Sequence, residues 1–154
     1  MSGASSSNES SAAYAGDVSA KETWDLLCEN PSALLVDVRT KAEWNFVGLP
    51  DLSNLVRQPI LVEWQSFPPG PVPNPDFGNE LAKALASSGY EAGSPIFFLC
   101  RSGSRSRDAA IAATAAGFGP CFNVGDGFEG ALDGERRRGR AQGWKAAGLP
   151  WVQS

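Results

Sequence analysis

Along the chain, short unbroken apolar runs alternate with segments in which apolar residues return every three or four positions. The two patterns predict different elements. "ALLVDV" at 33–38, "PIFFL" at 95–99 and "CFNV" at 121–124 are too short for helices and apolar on both faces, as strands buried in a parallel sheet are. Before and between these runs lie the helical patterns. Trp24, Leu27 and Cys28 share one helical face behind the capping-box pair Ser19 and Glu22, which predicts a helix over 19–29 ended by Asn30-Pro31. "TKAEWNF" at 40–46 holds a short helix, and "NELAKALASSGY" at 79–90 a longer one stopped by Gly89. "RSRDAAIAATAA" at 105–116 predicts a helix whose small side chains permit close approach to a sheet, with Gly117 as its stop. "NLVRQP" at 54–59 reads as a further short strand and "GWKAAGLPW" at 143–151 as one helical turn. Strand and helix alternate throughout, so the expected class is α/β with a parallel sheet.

Two stretches lack either pattern. Residues 1–16 are rich in Ser, Ala and Gly and are expected to form a mobile tail, with one ordered domain over 17–152. Residues 64–79, "WQSFPPGPVPNPDFGN", carry five prolines and predict an irregular loop of unusual length.

Composition narrows the chemistry. With 154 residues and 42% hydrophobic content the chain has enough apolar material for a single core. A formal charge of −4 argues against nucleic acid as the principal partner, and "GERRRGR" at 134–140 reads as a solvated basic loop. No apolar stretch approaches the roughly 18 residues that span a bilayer, and no basic start precedes a hydrophobic segment. A cytoplasmic protein with no membrane partner is expected. Cys28, Cys100 and Cys121 are odd in number and far apart, which suggests reduced thiols rather than a disulfide framework or a zinc ribbon. The chain contains no histidine, which excludes Ser-His-Asp triads, Cys-His pairs and histidine-bearing metal sites.

Cys100 stands apart from the other two thiols. It follows the last apolar residue of a predicted central strand and precedes a helix, the place where open α/β sheets bind their ligands. The intervening Arg101, Ser102, Gly103, Ser104 and Arg105 combine small residues with a glycine, so that successive backbone N–H groups can curl into an anion-binding nest. The helix start and the nearby cations favour a thiolate, the nucleophilic form, without any histidine. Arg101 and Arg105 are candidate clamps for the anionic group of a substrate. Cys28, on the face of the first helix, and Cys121, at a strand start, read as packing residues.

The segments "LLVDVRTKAEW", "IFFLCRSGSRS", "GFEGALDG" and "GWKAAGLPW" together resemble a single-domain rhodanese, a sulfurtransferase, in order from about residue 17 to 151. The resemblance implies five parallel strands with helices on both faces. It further implies that Cys100 carries sulfur as a persulfide and that residues 101–105, with Ser106 after them, form the active-site loop. By similarity Asp37, Arg39 and Glu43 belong to a polar network beside that loop, in mainly supporting roles. Sulfane-sulfur donors such as thiosulfate, and cyanide, thiol or protein acceptors, are the implied partners, with no metal and no organic cofactor. The chain departs from the family where many members carry a "GHIPGA"-like stretch, since it reads "NFVGLPDLSN" there. The proline-rich 64–79 and the basic segment within 132–142 look like insertions that shape access or partner choice.

A cysteine cradled by N–H groups with an arginine also describes cysteine-dependent phosphatases and arsenate reductases. Their loops place five residues between cysteine and arginine, whereas four separate Cys100 from Arg105. The shorter loop suits one added sulfur better than a tetrahedral oxyanion. A rhodanese module that relays sulfur or binds a partner without turnover is the third reading, kept open by the basic insertion.

Overall fold

The computed structural model describes residues 13–66, 71–131, 134–138 and 142–153. Its elements in chain order begin with β1 (Gly16–Val18), α1 (Ala20–Glu29), β2 (Leu34–Asp37), α2 (Lys41–Val47), β3 (Leu49–Pro50) and β4 (Ile60–Leu61). They continue with β5 (Gln65–Ser66), β6 (Val72–Pro73), α3 (Phe77–Ser87), β7 (Ile96–Leu99), α4 (Ser104–Ala115), β8 (Cys121–Val124) and β9 (Trp151–Val152). Five strands form one sheet in the order β1-β8-β7-β2-β4, with every neighbouring pair parallel. The fold is α/β with a five-stranded parallel sheet, as the alternation of patterns predicts.

The central strand β7 is buried at all four residues, which explains its unbroken apolar run. Its side chains alternate between two cores. Ile96 and Phe98 enter one core with Phe77, Leu81 and Leu85 of α3 and Ala109, Ala110 and Ala113 of α4. Phe97 and Leu99 enter the other with Ala20 and Leu27 of α1 and Trp144. The sheet is therefore covered on both faces, by α1 on one side and by α3 and α4 on the other. Burying each large apolar side chain contributes about 1.5–3 kcal/mol, so these two cores hold the strand that ends at Cys100.

The capping box predicted for α1 is present: Ser19 accepts from the Glu22 N–H and Glu22 accepts from the Ser19 N–H. Cys28 differs from expectation, because the buried face of α1 runs through Ala20, Thr23 and Leu27 and leaves that thiol exposed. Cys121 is buried, and desolvation pushes its thiol up against a weaker opposing hydrogen bond from Thr114.

Other differences follow from pairing that local sequence does not encode. Gly16 of β1 pairs with Phe122, and Ala15 donates to the Cys121 carbonyl, so these two residues of the expected tail already belong to the sheet; residues 1–12 lie outside the described residues. "NLVRQP" is not a strand. Ser53–Leu55 forms a 3-10 turn, Val56 is left-handed and 92% exposed, and the strand is displaced to Ile60–Leu61. The Arg57 guanidinium holds that turn by donating to the carbonyls of Leu27, Asn30 and Ala33 at the end of α1. In the proline-rich stretch, Gln65 and Ser66 pair antiparallel with Val72 and Pro73, while 67–70 lie outside the described residues. Helix α3 starts at Phe77, two residues early, because Phe77 enters the core and packs edge-on against Trp64. The helical turn expected near the C-terminus is seen in the Ala147 to Gly143 hydrogen bond, and Trp151 and Val152 then pair with Pro50 and Leu49. Among the described residues, no helix is long and apolar enough to cross a membrane.

Candidate active site

Cys100 is the first residue past the end of β7 and is almost fully buried, at 1% exposure. The chain turns at Gly103, whose φ of +107° is left-handed, and α4 begins at Ser104. This turn aims the Gly103 N–H at Cys100 Sγ, 3.1 Å away. The first N–H groups of α4 lack intrahelical partners and carry the positive end of the helix dipole on the same side.

A side-chain chain backs the sulfur. Asn123, buried on β8, donates Nδ2 to Asp17 Oδ1 of β1 at 3.0 Å and to the Gly103 carbonyl at 3.1 Å. Two acceptors thus fix the amide, leaving Oδ1 to face Ser106. The Ser106 hydroxyl lies 2.5 Å from that oxygen and 3.1 Å from Cys100 Sγ. Its single proton serves one acceptor at a time. A thiol at Cys100 can donate to Ser106, and a thiolate can receive the Ser106 proton instead. Tyr14 completes the chain by donating to Asp17, and burial first, then that carboxylate, raises its phenol.

The loop is clamped by the segment after β8. Phe128 N–H donates to the Cys100 carbonyl at 2.8 Å, and the Glu129 and Gly130 N–H groups both donate to the Arg101 carbonyl at 3.0 Å. Backbones meet so closely here that a Cβ on Gly127 would run into Arg101 and Ser102, and one on Gly103 into the Gly125 carbonyl. "GFEGALDG" therefore begins with a glycine that the cysteine loop requires.

Asp37, Arg39 and Glu43 are brought to this end of the sheet and divide into two units. Asp37 and Arg39 form a fully buried ion pair, with Arg39 Nη2 2.6 Å from Asp37 Oδ2. The same guanidinium donates to the Gly48 carbonyl and lies 4.2 Å over the Phe128 ring. The pair is linked to the cysteine loop through Phe128, whose N–H donates to the Cys100 carbonyl. Glu43, in contrast, reaches the loop directly through a two-pronged ion pair with Arg105, 2.7 and 3.0 Å long. Burial would raise the Glu43 carboxyl, but the Arg105 hydrogen bonds, the Thr40 N–H and the neighbouring guanidinium charges outweigh it and hold the carboxyl low. Burial likewise opposes the Arg105 cation, which Glu43 more than offsets, so Arg105 is held charged.

The two expected anion clamps consequently differ. Both Nη atoms of Arg105 are occupied by Glu43, whereas Arg101 is exposed and has no ion-pair partner among the described residues. Ser102 and Ser104 are exposed on the loop. Asn123 and Asp17 are the site residues that local sequence reading misses. The available signal was a lone amide inside the apolar run "CFNV", since a buried polar residue must find partners. Among the described residues, no group of three or more His, Cys, Asp or Glu could hold a metal ion.

Comparisons with known proteins identify relatives of similar sequence and fold. The chain resembles the crystal structure of Rv0390 from M. tuberculosis at 49% identity, with a TM-score of 0.81 over 92% of this chain and 99% of that one. It shares its fold with the 30 kDa polysulfide-sulfur transferase homodimer of Wolinella succinogenes, at 24% identity, a TM-score of 0.54 and coverage of 96% and 86%. An uncharacterized protein of Rickettsia conorii, RC0915, is 38% identical over 135 residues, 88% of this chain and 95% of that protein. A family model described as a rhodanese-like domain matches residues 19–133. A buried cysteine at the end of the central strand, its four-residue bridge to Arg105 and this match lead to one assignment: the chain belongs to the rhodanese-like domain family.

Proposed function

We propose that the protein is a sulfurtransferase that moves sulfane sulfur from thiosulfate, or a related donor, to cyanide, a thiol or a protein acceptor through a persulfide on Cys100. The observation that carries this reading is the convergence of the Gly103 N–H and the Ser106 hydroxyl on Cys100 Sγ, each at 3.1 Å, beneath the start of α4. Both are donors suited to a sulfur anion. The Cys100 thiolate attacks the outer sulfur of thiosulfate, forming one S–S bond as the S–S bond of the donor breaks. Sulfite leaves with the electron pair, and Cys100 holds a persulfide whose negative terminal sulfur is stabilised by nearby N–H groups. An acceptor nucleophile then attacks that terminal sulfur. The bond to Sγ breaks, and its electron pair returns to Cys100 as thiolate.

Ser106 is the positioning residue in this scheme, because its proton can turn toward sulfur when the charge resides there and toward Asn123 when it does not. Glu43 holds Arg105 against α2, which fixes the first turn of α4 and keeps the loop compact. Four intervening residues leave less room than a phosphatase loop, so transfer of sulfur, without hydrolysis of aryl phosphates, is expected.

The test is intact-mass measurement after incubation with thiosulfate. Native protein and the Cys28→Ser and Cys121→Ser variants should each gain one sulfur atom, removed by cyanide as thiocyanate, and Cys100→Ser should gain none. Loading that persists in Cys100→Ser, or aryl phosphate hydrolysis in place of loading, overturns the proposal.

A further inference from the structure

The cysteine loop opens into a cavity of about 740 Å³. Thiosulfate has five heavy atoms, and a water-sized unit occupies about 30 Å³, so the ion would fill a small part of this space. Organic ligands occupy cavities of about 300–1,000 Å³. The space beside the cysteine loop, lined by its Arg101 and Arg105, is therefore dimensioned for a molecule larger than an inorganic sulfur anion.

Its lining is chemically divided. One wall is apolar, with Phe46, Val47 and Pro71 facing the cavity. Phe46 is 78% exposed, and its ring supports no core. The other wall is cationic: Arg101 of the cysteine loop meets Arg136 and Arg138 of the basic segment. Arg105 also lines the cavity, but Glu43 occupies its guanidinium. Arg101 and Arg136 have no ion-pair partner among the described residues, so their charges remain available. Glu129 is the acid on this wall besides the paired Glu43.

The basic segment is also anchored. Arg138 donates Nη1 to the Gly130 carbonyl at 2.8 Å, and the Gly130 N–H in turn donates to the Arg101 carbonyl at 3.0 Å. Two hydrogen bonds thus tie the arginines at 136–138 to the loop that carries Cys100. In a protein of net charge −4, four arginines against two glutamates, Glu43 and Glu129, in the lining of one cavity are a local reversal of sign.

We infer that Arg136 and Arg138, with Arg101, select a carboxylate-bearing organic thiol as the sulfur acceptor, its acid groups on the arginine wall and its aliphatic part against Phe46 and Val47. This inference rests on the sulfurtransferase reading and names the acceptor class. The thiol sulfur attacks the terminal sulfur of the Cys100 persulfide, a new S–S bond forms, and the bond to Sγ breaks. The electron pair and the thiol proton pass to Cys100, and the acceptor leaves as an organic persulfide.

The experiment separates acceptor selection from sulfur loading. Native protein, Arg136→Ala and Arg136→Ala/Arg138→Ala are loaded with thiosulfate, freed of donor, and mixed with glutathione, 3-mercaptopropionate or 2-mercaptoethanol. Comparing variant with native for each thiol cancels the thiol's own reactivity. Charge-assisted hydrogen bonds at a partly exposed site predict a fall of about tenfold in kcat/KM for glutathione in the double variant, mostly through KM. A smaller fall is expected for the monocarboxylate and less than about twofold for the uncharged thiol. Arg136→Lys should recover most of the glutathione rate. Equal slowing of all three thiols, or no slowing of glutathione, overturns the inference while leaving sulfur transfer intact. A binding arm is independent of turnover: S-methylglutathione should bind native protein and bind Arg136→Ala at least about threefold more weakly. If loading fails but this binding difference holds, the transfer reading falls and the acid-binding cavity stands. If native protein shows no binding, the cavity assignment falls.

Discussion

Replacing Gly127 with alanine tests whether the segment after β8 sets the geometry of the nucleophile. Gly127 has a φ of +68°, and an added Cβ would lie 2.7 Å from the Ser102 nitrogen, closer still to the Arg101 carbonyl group. Restoring an ordinary contact of 3.4 Å at that nitrogen alone requires a movement of about 0.7 Å, and the nearer Arg101 carbonyl oxygen requires more. The moving backbone is the cysteine loop itself, and the shift strains the two 3.0 Å hydrogen bonds that hold the Arg101 carbonyl. A left-handed alanine costs about 1 kcal/mol, and two weakened hydrogen bonds add about 1 kcal/mol each, so unfolding free energy should fall by about 2–3 kcal/mol. Misplacement approaching 1 Å can lower a rate by about a hundredfold, so persulfide formation should slow by roughly 30- to 100-fold. The control is Gly89→Ala, where φ is +80° and no atom lies within 4 Å of the new Cβ. It carries the same backbone strain without the collision. Urea unfolding would give stability for both variants, and timed intact-mass sampling would give the loading rate. A Gly127→Ala protein that loads sulfur within twofold of native, or a Gly89→Ala protein that slows as much, would refute the reasoning.

Two further substitutions probe the supporting ion pairs. Arg39→Ala leaves Asp37 buried without its cation and should lower stability by about 3–5 kcal/mol in urea unfolding, and a loss under about 1 kcal/mol would show that the pair does not brace this end of the sheet. Glu43→Gln should cost about 1–2 kcal/mol at pH 7. Because the folded Glu43 carboxyl is held below its ordinary value of 4.5, the native advantage is present above that pH and disappears as pH falls through the lowered value. Unfolding measured from pH 7 to pH 3 should therefore show the native and Glu43→Gln curves converging, and a constant gap across that range would contradict the assignment.

The parts of the site that were legible in sequence are those built by contiguous residues. The apolar run ending at Leu99, the thiol that follows it, the glycine turn and the alanine-rich helix lie within some twenty positions, and each uses local physical chemistry: burial on both faces, positive φ, close helix packing. The same locality explains the misreading at 54–59. Leu55 and Val56 supply a strand-like apolar pair, but Arg57 has carbonyl partners at the end of α1, and those partners are some thirty residues away. Cys28 was misplaced for a related reason, since Trp24, Leu27 and Cys28 share a helical sector and only the sheet beneath decides which edge of it is covered.

The backing of the sulfur was hidden by a longer version of this distance. Asp17 meets Asn123 because β1 pairs with β8, and Asn123 meets Ser106 because β8 lies beside β7, so three separated segments must assemble before one hydroxyl is oriented. Glu43 is intermediate: Thr40 and Glu43 spell a capping box locally, yet the carboxylate that closes the cap also takes Arg105, sixty-two residues on. One side chain thereby starts α2 and restrains the first turn of α4. A substitution chosen from the helix cap alone would thus alter the cysteine loop as well, and the pH dependence of Glu43→Gln separates these uses. The cap needs an oxygen acceptor, which glutamine keeps, whereas the pull on Arg105 needs the charge, which glutamine lacks.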